Sequence, residues 1–105
     1  MGMKILGQKA PAGSSATMLF KSESECVISS FVVCNRNAAA DEFRMAILPN
    51  GNTLGNDYYL YYGTAINGNL TFTATLGLTL QEGDQVWVYS KNGYLTFSAF
   101  GQYNS

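Results

Sequence analysis

The chain contains no histidine, two cysteines, two prolines and one tryptophan among its 105 residues. Lacking histidine, it cannot build a Ser-His or Cys-His nucleophile, and it is without the commonest general base and metal ligand. Charge is scarce too. Asp, Glu, Lys and Arg make up 12% of positions, about half the usual share, and the formal net charge is -1. Such a chain has no field with which to steer a polyanion. The basic residues Lys4, Lys9, Lys21, Arg36, Arg44 and Lys91 are scattered singly, whereas a nucleic-acid surface gathers them into a stripe. No apolar run approaches the 18 or so residues of a membrane helix. Neither nucleic acid nor membrane is an expected partner.

Cofactor chemistry has no foothold in the pattern. There is no glycine-rich phosphate loop, and Asn50-Gly51-Asn52 lacks the acidic ladder and closing Glu of a calcium loop. The acidic pairs Glu23/Glu25, Asp41/Glu42 and Glu82/Asp84 are candidates for paired-carboxylate catalysis. Each sits at a turn or strand start, where carboxylates cap backbone donors or stay solvated. Cys26 and Cys34 fall within one apolar segment, which raises thiol pKa values rather than activating them. If that segment is a strand, they are eight positions and roughly 26 Å apart, far beyond disulfide reach. Two packed thiols fit synthesis in a reducing cytoplasm. No catalytic, metal or cofactor site is expected, and the chain is read as non-enzymatic.

What remains is rich in strand formers. Hydrophobic residues reach 47% and aromatics 13%. A domain of this length buries roughly 65% of its unfolded surface and holds a core without staples. Thr17–Lys21, Cys26–Asn35, Asp41–Leu48, Tyr58–Tyr62, Leu70–Leu76, Val86–Tyr89 and Tyr94–Phe100 read as strands divided by turns. In Asp41–Leu48, Phe43, Met45 and Ile47 alternate with Glu42, Arg44 and Ala46, the mark of a half-buried strand. Gly83 supplies an unusual backbone angle, with Asp84 capping the same turn. Asn92-Gly93 between two alternating runs predicts a hairpin. The expected fold is all-β: a single antiparallel β-sandwich of about seven strands, jelly-roll or immunoglobulin-like, spanning residues 15–105. A small closed barrel is the alternative. Residues 1–14, with Gly7, Pro11 and Gly13, predict an extended N-terminal arm. On an ideal strand Tyr59 and Tyr61 share one face, and Tyr58, Leu60 and Tyr62 the other. One set then enters the core, while the other meets a partner or a sugar ring.

Several segments together resemble the small virion structural proteins of tailed bacteriophages. They are Leu6-Gly7-Gln8-Lys9-Ala10-Pro11, Val33-Cys34-Asn35-Arg36, Phe43-Arg44, Tyr59-Leu60-Tyr61-Tyr62, Gly77-Leu78-Thr79-Leu80 with Gly83-Asp84, and Leu95-Thr96-Phe97-Ser98-Ala99-Phe100-Gly101. The likeness runs over nearly the whole chain. It implies a virion protein assembled in the host cytoplasm, either a capsid decoration (cement) protein on the major capsid protein or a tail, baseplate or fibre subunit. It also implies a homo-oligomer, commonly a trimer. On that reading the arm residues Lys4, Leu6 and Gln8 contact the shell, and Tyr59 and Tyr61 pack subunits. The competing expectation is an adhesion module binding a host surface glycan through Tyr58–Tyr62, Trp87 and Tyr94.

Overall fold

The computed structural model describes residues 3–104 and consists of strands joined by short connections. These are β1 (Lys4–Lys9), β2 (Thr17–Lys21), β3 (Cys26–Asn35), β4 (Asp41–Leu48), β5 (Tyr59–Ile66), β6 (Thr71–Leu80), β7 (Gln85–Ser90) and β8 (Leu95–Tyr103). A single 3₁₀ turn, Asn56–Tyr58, precedes β5. Two four-stranded antiparallel sheets form a β-sandwich. The first has the order β1-β8-β3-β6 and the second β2-β7-β4-β5.

This order has a simple logic. Strands β1·β8, β2·β7, β3·β6 and β4·β5 pair antiparallel, so the chain is one long hairpin bent at β4–β5 and rolled onto itself. Only β4 and β5 are both consecutive and paired. Every other connection crosses between sheets. Apolar side chains from both inner faces meet in the gap, with Phe31, Val33, Phe97 and Ala99 from the first sheet facing Phe43, Met45, Val86 and Val88 from the second. Aromatic rings fill the centre. Phe43 lies 5.1 Å from Phe72 and 6.2 Å from Phe97, and Phe31 lies 6.0 Å from Phe97, measured between centroids. Offset and edge-on pairs of this kind add to the burial of the rings themselves.

Two polar side chains tie the crossovers down. Asn35, buried at the end of β3, donates its amide to the carbonyls of Ala39, Ile66 and Asn67 at 3.0–3.2 Å, and its Oδ1 accepts from the Asn37 amide. Asp41 opens β4, is also buried, and holds the β7–β8 crossover. Its Oδ2 accepts from Ser90 Oγ (2.6 Å) and the Tyr94 amide (3.1 Å). Its Oδ1 accepts from the Glu42 amide (2.7 Å) and the Asn92 amide (2.9 Å). Burial alone would push this carboxyl up; the Ser90 hydroxyl and the three amides outweigh it and leave the carboxyl below the ordinary range.

Three expectations need correcting. The stretch expected as a free arm is paired over Lys4–Lys9, where β1 forms the edge of the first sheet against β8; residues 1 and 2 lie outside the described residues. The reason is burial: with β1 paired to β8, Leu6 packs against the core, a gain that an unpaired arm forgoes. Among the described residues the strands number eight, against the expected seven or so. Asn92-Gly93 makes no hairpin, since β7 and β8 belong to different sheets. Gly93 does adopt a left-handed φ of 82°, but the loop's donors run to Asp41 instead of across a ladder.

Candidate interaction surfaces

The two outward faces of the sandwich differ in chemistry. On the second sheet, Trp87 of β7 lies between Met18 of β2 and Ala46 of β4, and Ala46 in turn faces Tyr59. Cross-strand partners share a face, so these residues form one outward row. Beside it, the Arg44 guanidinium sits between two tyrosine rings, 4.2 Å from the Tyr62 centroid and 4.1 Å from that of Tyr89. Tyr59 meets Tyr62 edge-on at 5.0 Å. Tyr62 is 59% and Met18 38% exposed. Trp87 donates its indole N–H to Gln85 Oε1 at 2.7 Å. A shallow recess of about 210 Å³ opens at one end of this face between Glu42, Arg44, Tyr89 and Lys91, where Lys91 Nζ and Glu42 Oε2 pair at 3.4 Å. The face is aromatic and carries both charge signs.

On the first sheet, Val32 lies between Thr73 and Ser98, Cys34 between Thr71 and Thr96, Ser30 between Thr75 and Phe100, and Val27 between Thr79 and Gln102. Beyond β8, Ile5 pairs with Phe100 and Gln8 with Ser98. None of the ten residues of β3, the ten of β6 or the nine of β8 is Asp, Glu, Lys or Arg. This face is broad, β-branched and hydroxyl-rich. The charged residues of this sheet's four strands are Lys4 and Lys9 on the β1 edge, which lie across from Gly101 and Phe97 and so outside the outward rows.

The residues expected to make contacts are dispersed. Lys4 is exposed, with its ammonium 5.2 Å from the Tyr103 ring. Leu6 packs against the core, and Gln8 donates to Ser98 Oγ at 3.2 Å on the outer face of the first sheet. Tyr59 and Tyr61 are separated by a bulge: Met45 faces Tyr61 while its neighbour Ala46 faces Tyr59. One extra residue in β5 thus turns two tyrosines of equal parity to opposite faces. Tyr61 enters the core, 5.4 Å from Phe72 and 5.8 Å from Phe43. That position explains its size and takes it away from a partner. Tyr59 stays outward. Tyr58 accepts a hydrogen bond from Asn52 Nδ2 at 2.9 Å and belongs to the loop before β5.

The acidic pairs fall to structural work or to solvent. Asp41 holds a crossover, as described. Asp84 accepts from the Gln81 amide (2.8 Å) and the Asn50 amide (2.9 Å), capping the turn in which Gly83 adopts φ 90°. Glu25 accepts from Gln81 Nε2 at 3.2 Å. Among the described residues, no three His, Cys, Asp or Glu side chains gather as a metal site would require. Cys26 and Cys34 are both free thiols on β3, the first buried and the second half-buried on the outer face. Sequence reading missed the Arg44 clamp and the uncharged sheet. A charge map of the chain already held the second, since residues 26–35, 70–80 and 95–103 carry no ionisable acid or base except cysteine and tyrosine.

Comparison with protein-family models, with characterised proteins and with solved structures finds no match.

Proposed function

We propose that this chain is a non-enzymatic structural protein of a bacteriophage virion, a capsid decoration (cement) protein that binds across neighbouring capsid subunits as a trimer. The observation that carries the reading is the strand connectivity. We read a long hairpin rolled so that β1·β8, β2·β7, β3·β6 and β4·β5 pair as jelly-roll wiring, an architecture that recurs in viral capsid and lectin domains. The sequence likeness to small virion proteins supports the same reading independently. So does the division of surface into one uncharged and one aromatic face, which suits a protein that touches its own copies on one side and a shell on the other.

The physics of such a part is mass action. A protein that binds the assembled lattice and not its dissociated subunits stabilises the lattice by RT ln(1 + [L]/Kd), about 2.7 kcal/mol per site at 100 times Kd. Three linked sites raise the effective affinity further. Function on this account needs no reacting group. It needs a rigid body with matched contours, and a sandwich cored by Phe31, Phe43 and Phe97 is such a body.

The test is co-sedimentation of purified protein with particles stripped of their accessory proteins. Saturable binding at a fixed ratio to the major capsid protein, with a raised disassembly temperature, is the expected result. Binding confined to isolated tails would move the protein to a tail, baseplate or fibre. A second reading, a glycan-binding adhesion module, is favoured by one feature. Tyr59 and Tyr62 stand edge-on beside Asn56 around an open recess, an arrangement that offers a ring face and an amide to a sugar. Retention on a glycan array that is lost in Tyr62→Ala would support it.

A further inference from the structure

We infer that the outer face of β8, β3 and β6 is a contact surface between copies of this chain, and that it, rather than the tyrosines of β5, holds the oligomer together. The inference deepens the assembly reading above by naming the partner of one face, and its test does not depend on the virion.

All thirteen acidic and basic residues lie outside β3, β6 and β8. A solvated sheet face ordinarily alternates apolar residues inward with polar and charged residues outward. The second sheet follows that rule in β4, where Glu42 and Arg44 point out. The first sheet departs from it. Its outward rows read Thr79-Val27-Gln102, Thr75-Ser30-Phe100-Ile5, Thr73-Val32-Ser98-Gln8 and Thr71-Cys34-Thr96. Depletion of charge with retention of aromatic and β-branched residues is the composition of a buried interface centre.

The edges point the same way. An open sheet edge pairs with other chains unless charge, proline or a cover blunts it. Edge strand β1 carries Lys4 and Lys9, and edge strand β2 carries Lys21. Edge strands β5 and β6 have neither a charge nor a proline; β6 is the longer, ten residues against eight, and its Thr71, Thr73, Thr75 and Thr79 are exposed. A partner that covers the face also shields this edge.

Size and complementarity select a second copy as that partner. The four strands, of six, nine, ten and ten residues, give at ~3.3 Å rise and ~4.8 Å spacing a projected area of about 550 Å². Two such faces meeting bury about 1,100 Å², above the roughly 1,000 Å² a specific contact needs. An uncharged face loses nothing when apposed to another uncharged face, whereas a charged partner would lose solvation without gaining a counter-ion. A second copy of this chain meets that condition by construction: like faces paired about a two-fold axis close as a dimer, and a face shared between two neighbours closes as a ring such as a trimer.

The experiment measures molar mass by light scattering on the full chain, from low micromolar to near-millimolar concentration. Circular dichroism reports the fold of each variant. The variants are Val32→Glu at the centre of the face, Thr73→Glu on the exposed edge strand, and Tyr62→Glu on the opposite sheet. Wild-type protein should be a multiple of the 11.4 kDa chain, three-fold for a trimer. Val32→Glu and Thr73→Glu should weaken association by at least about 100-fold, since each buries an unpaired charge beside its own symmetry mates. Tyr62→Glu should leave it within about three-fold. If Val32→Glu does not fold, Thr73→Glu, on an exposed edge position, decides. The half-buried Cys34 thiol should react more slowly with maleimide as wild-type protein is concentrated. A monomer at every concentration overturns the inference. So does an oligomer dissolved by Tyr62→Glu alone or by none of the three. A monomer that still saturates virion particles refutes this interface and leaves the decoration role standing; an oligomer held by this face that ignores particles does the reverse.

Discussion

Replacing Asp41 by Asn tests whether one buried carboxylate holds the β7–β8 crossover. The carboxylate accepts four hydrogen bonds, from Ser90 Oγ, and the amides of Glu42, Asn92 and Tyr94, at 2.6–3.1 Å. Asparagine keeps one oxygen for two of these donors and turns an NH₂ group, itself a donor, toward the other two. Hydrogen bonds to a charged acceptor are worth about 1.5–3 kcal/mol each, and a donor left unpaired in the interior adds to the loss. Losing two therefore costs about 3 kcal/mol, or roughly 12–24 °C in Tm for a domain near 100 residues. That is a large part of a total stability of roughly 5–15 kcal/mol. Urea denaturation at one fixed protein concentration reads the difference at pH 7 and down to pH 3. Because the folded carboxyl lies below the ordinary 3.8, its contribution is complete above that value and is lost as pH falls through the folded pKa. The gap between wild type and Asp41→Asn should thus stay level from neutral pH to about pH 5 and narrow below 3.8. A loss under about 1 kcal/mol, or a gap that widens in acid, would refute the reasoning.

Five further outcomes are expected. Gly101→Ala places a Cβ 1.9 Å from the Val27 carbonyl oxygen, on a central strand that cannot move aside; it should cost at least about 3 kcal/mol in thermal unfolding. Gly77→Ala, with nothing within 4 Å of the new Cβ, should be neutral or stabilise by up to about 1 kcal/mol in the same assay. Asn35→Leu leaves the carbonyls of Ala39, Ile66 and Asn67 without their side-chain donor and should destabilise by about 2 kcal/mol. Arg44→Ala removes a cation from between Tyr62 and Tyr89; about 1–2 kcal/mol should be lost in denaturant titration, with Arg44→Lys falling between the two. Under native conditions one thiol per chain should react with a maleimide and the other, Cys26, only as fast as the protein unfolds, because Cys26 is fully buried.

The local pattern of residues was enough to mark out most strands. Cys26–Asn35 and Asp41–Leu48 have the bounds that alternation and β-branching assign, and Gly83 with Asp84 makes the turn their chemistry demands. The succession of strands and turns also pointed to a sandwich, with a closed barrel as the alternative, and composition to a packed apolar interior. Four things were decided elsewhere. Register against β4 sent Tyr59 and Tyr61 to opposite faces, through a bulge that no property of Tyr58–Tyr62 announces. Pairing with β8 made a strand of Lys4–Lys9, which read as an arm because its partner lies about ninety residues away. The Asn92-Gly93 turn joined two sheets instead of two neighbouring strands. Asp41, one of several acids at strand starts, became a buried anchor only when the crossover folded over it. Periodicity records which side chains of a strand are alike; it carries no label for the distant strand beside it. In a rolled hairpin nearly every partner is distant, so contacts closed across the whole chain settle which face looks inward and which is left for another molecule.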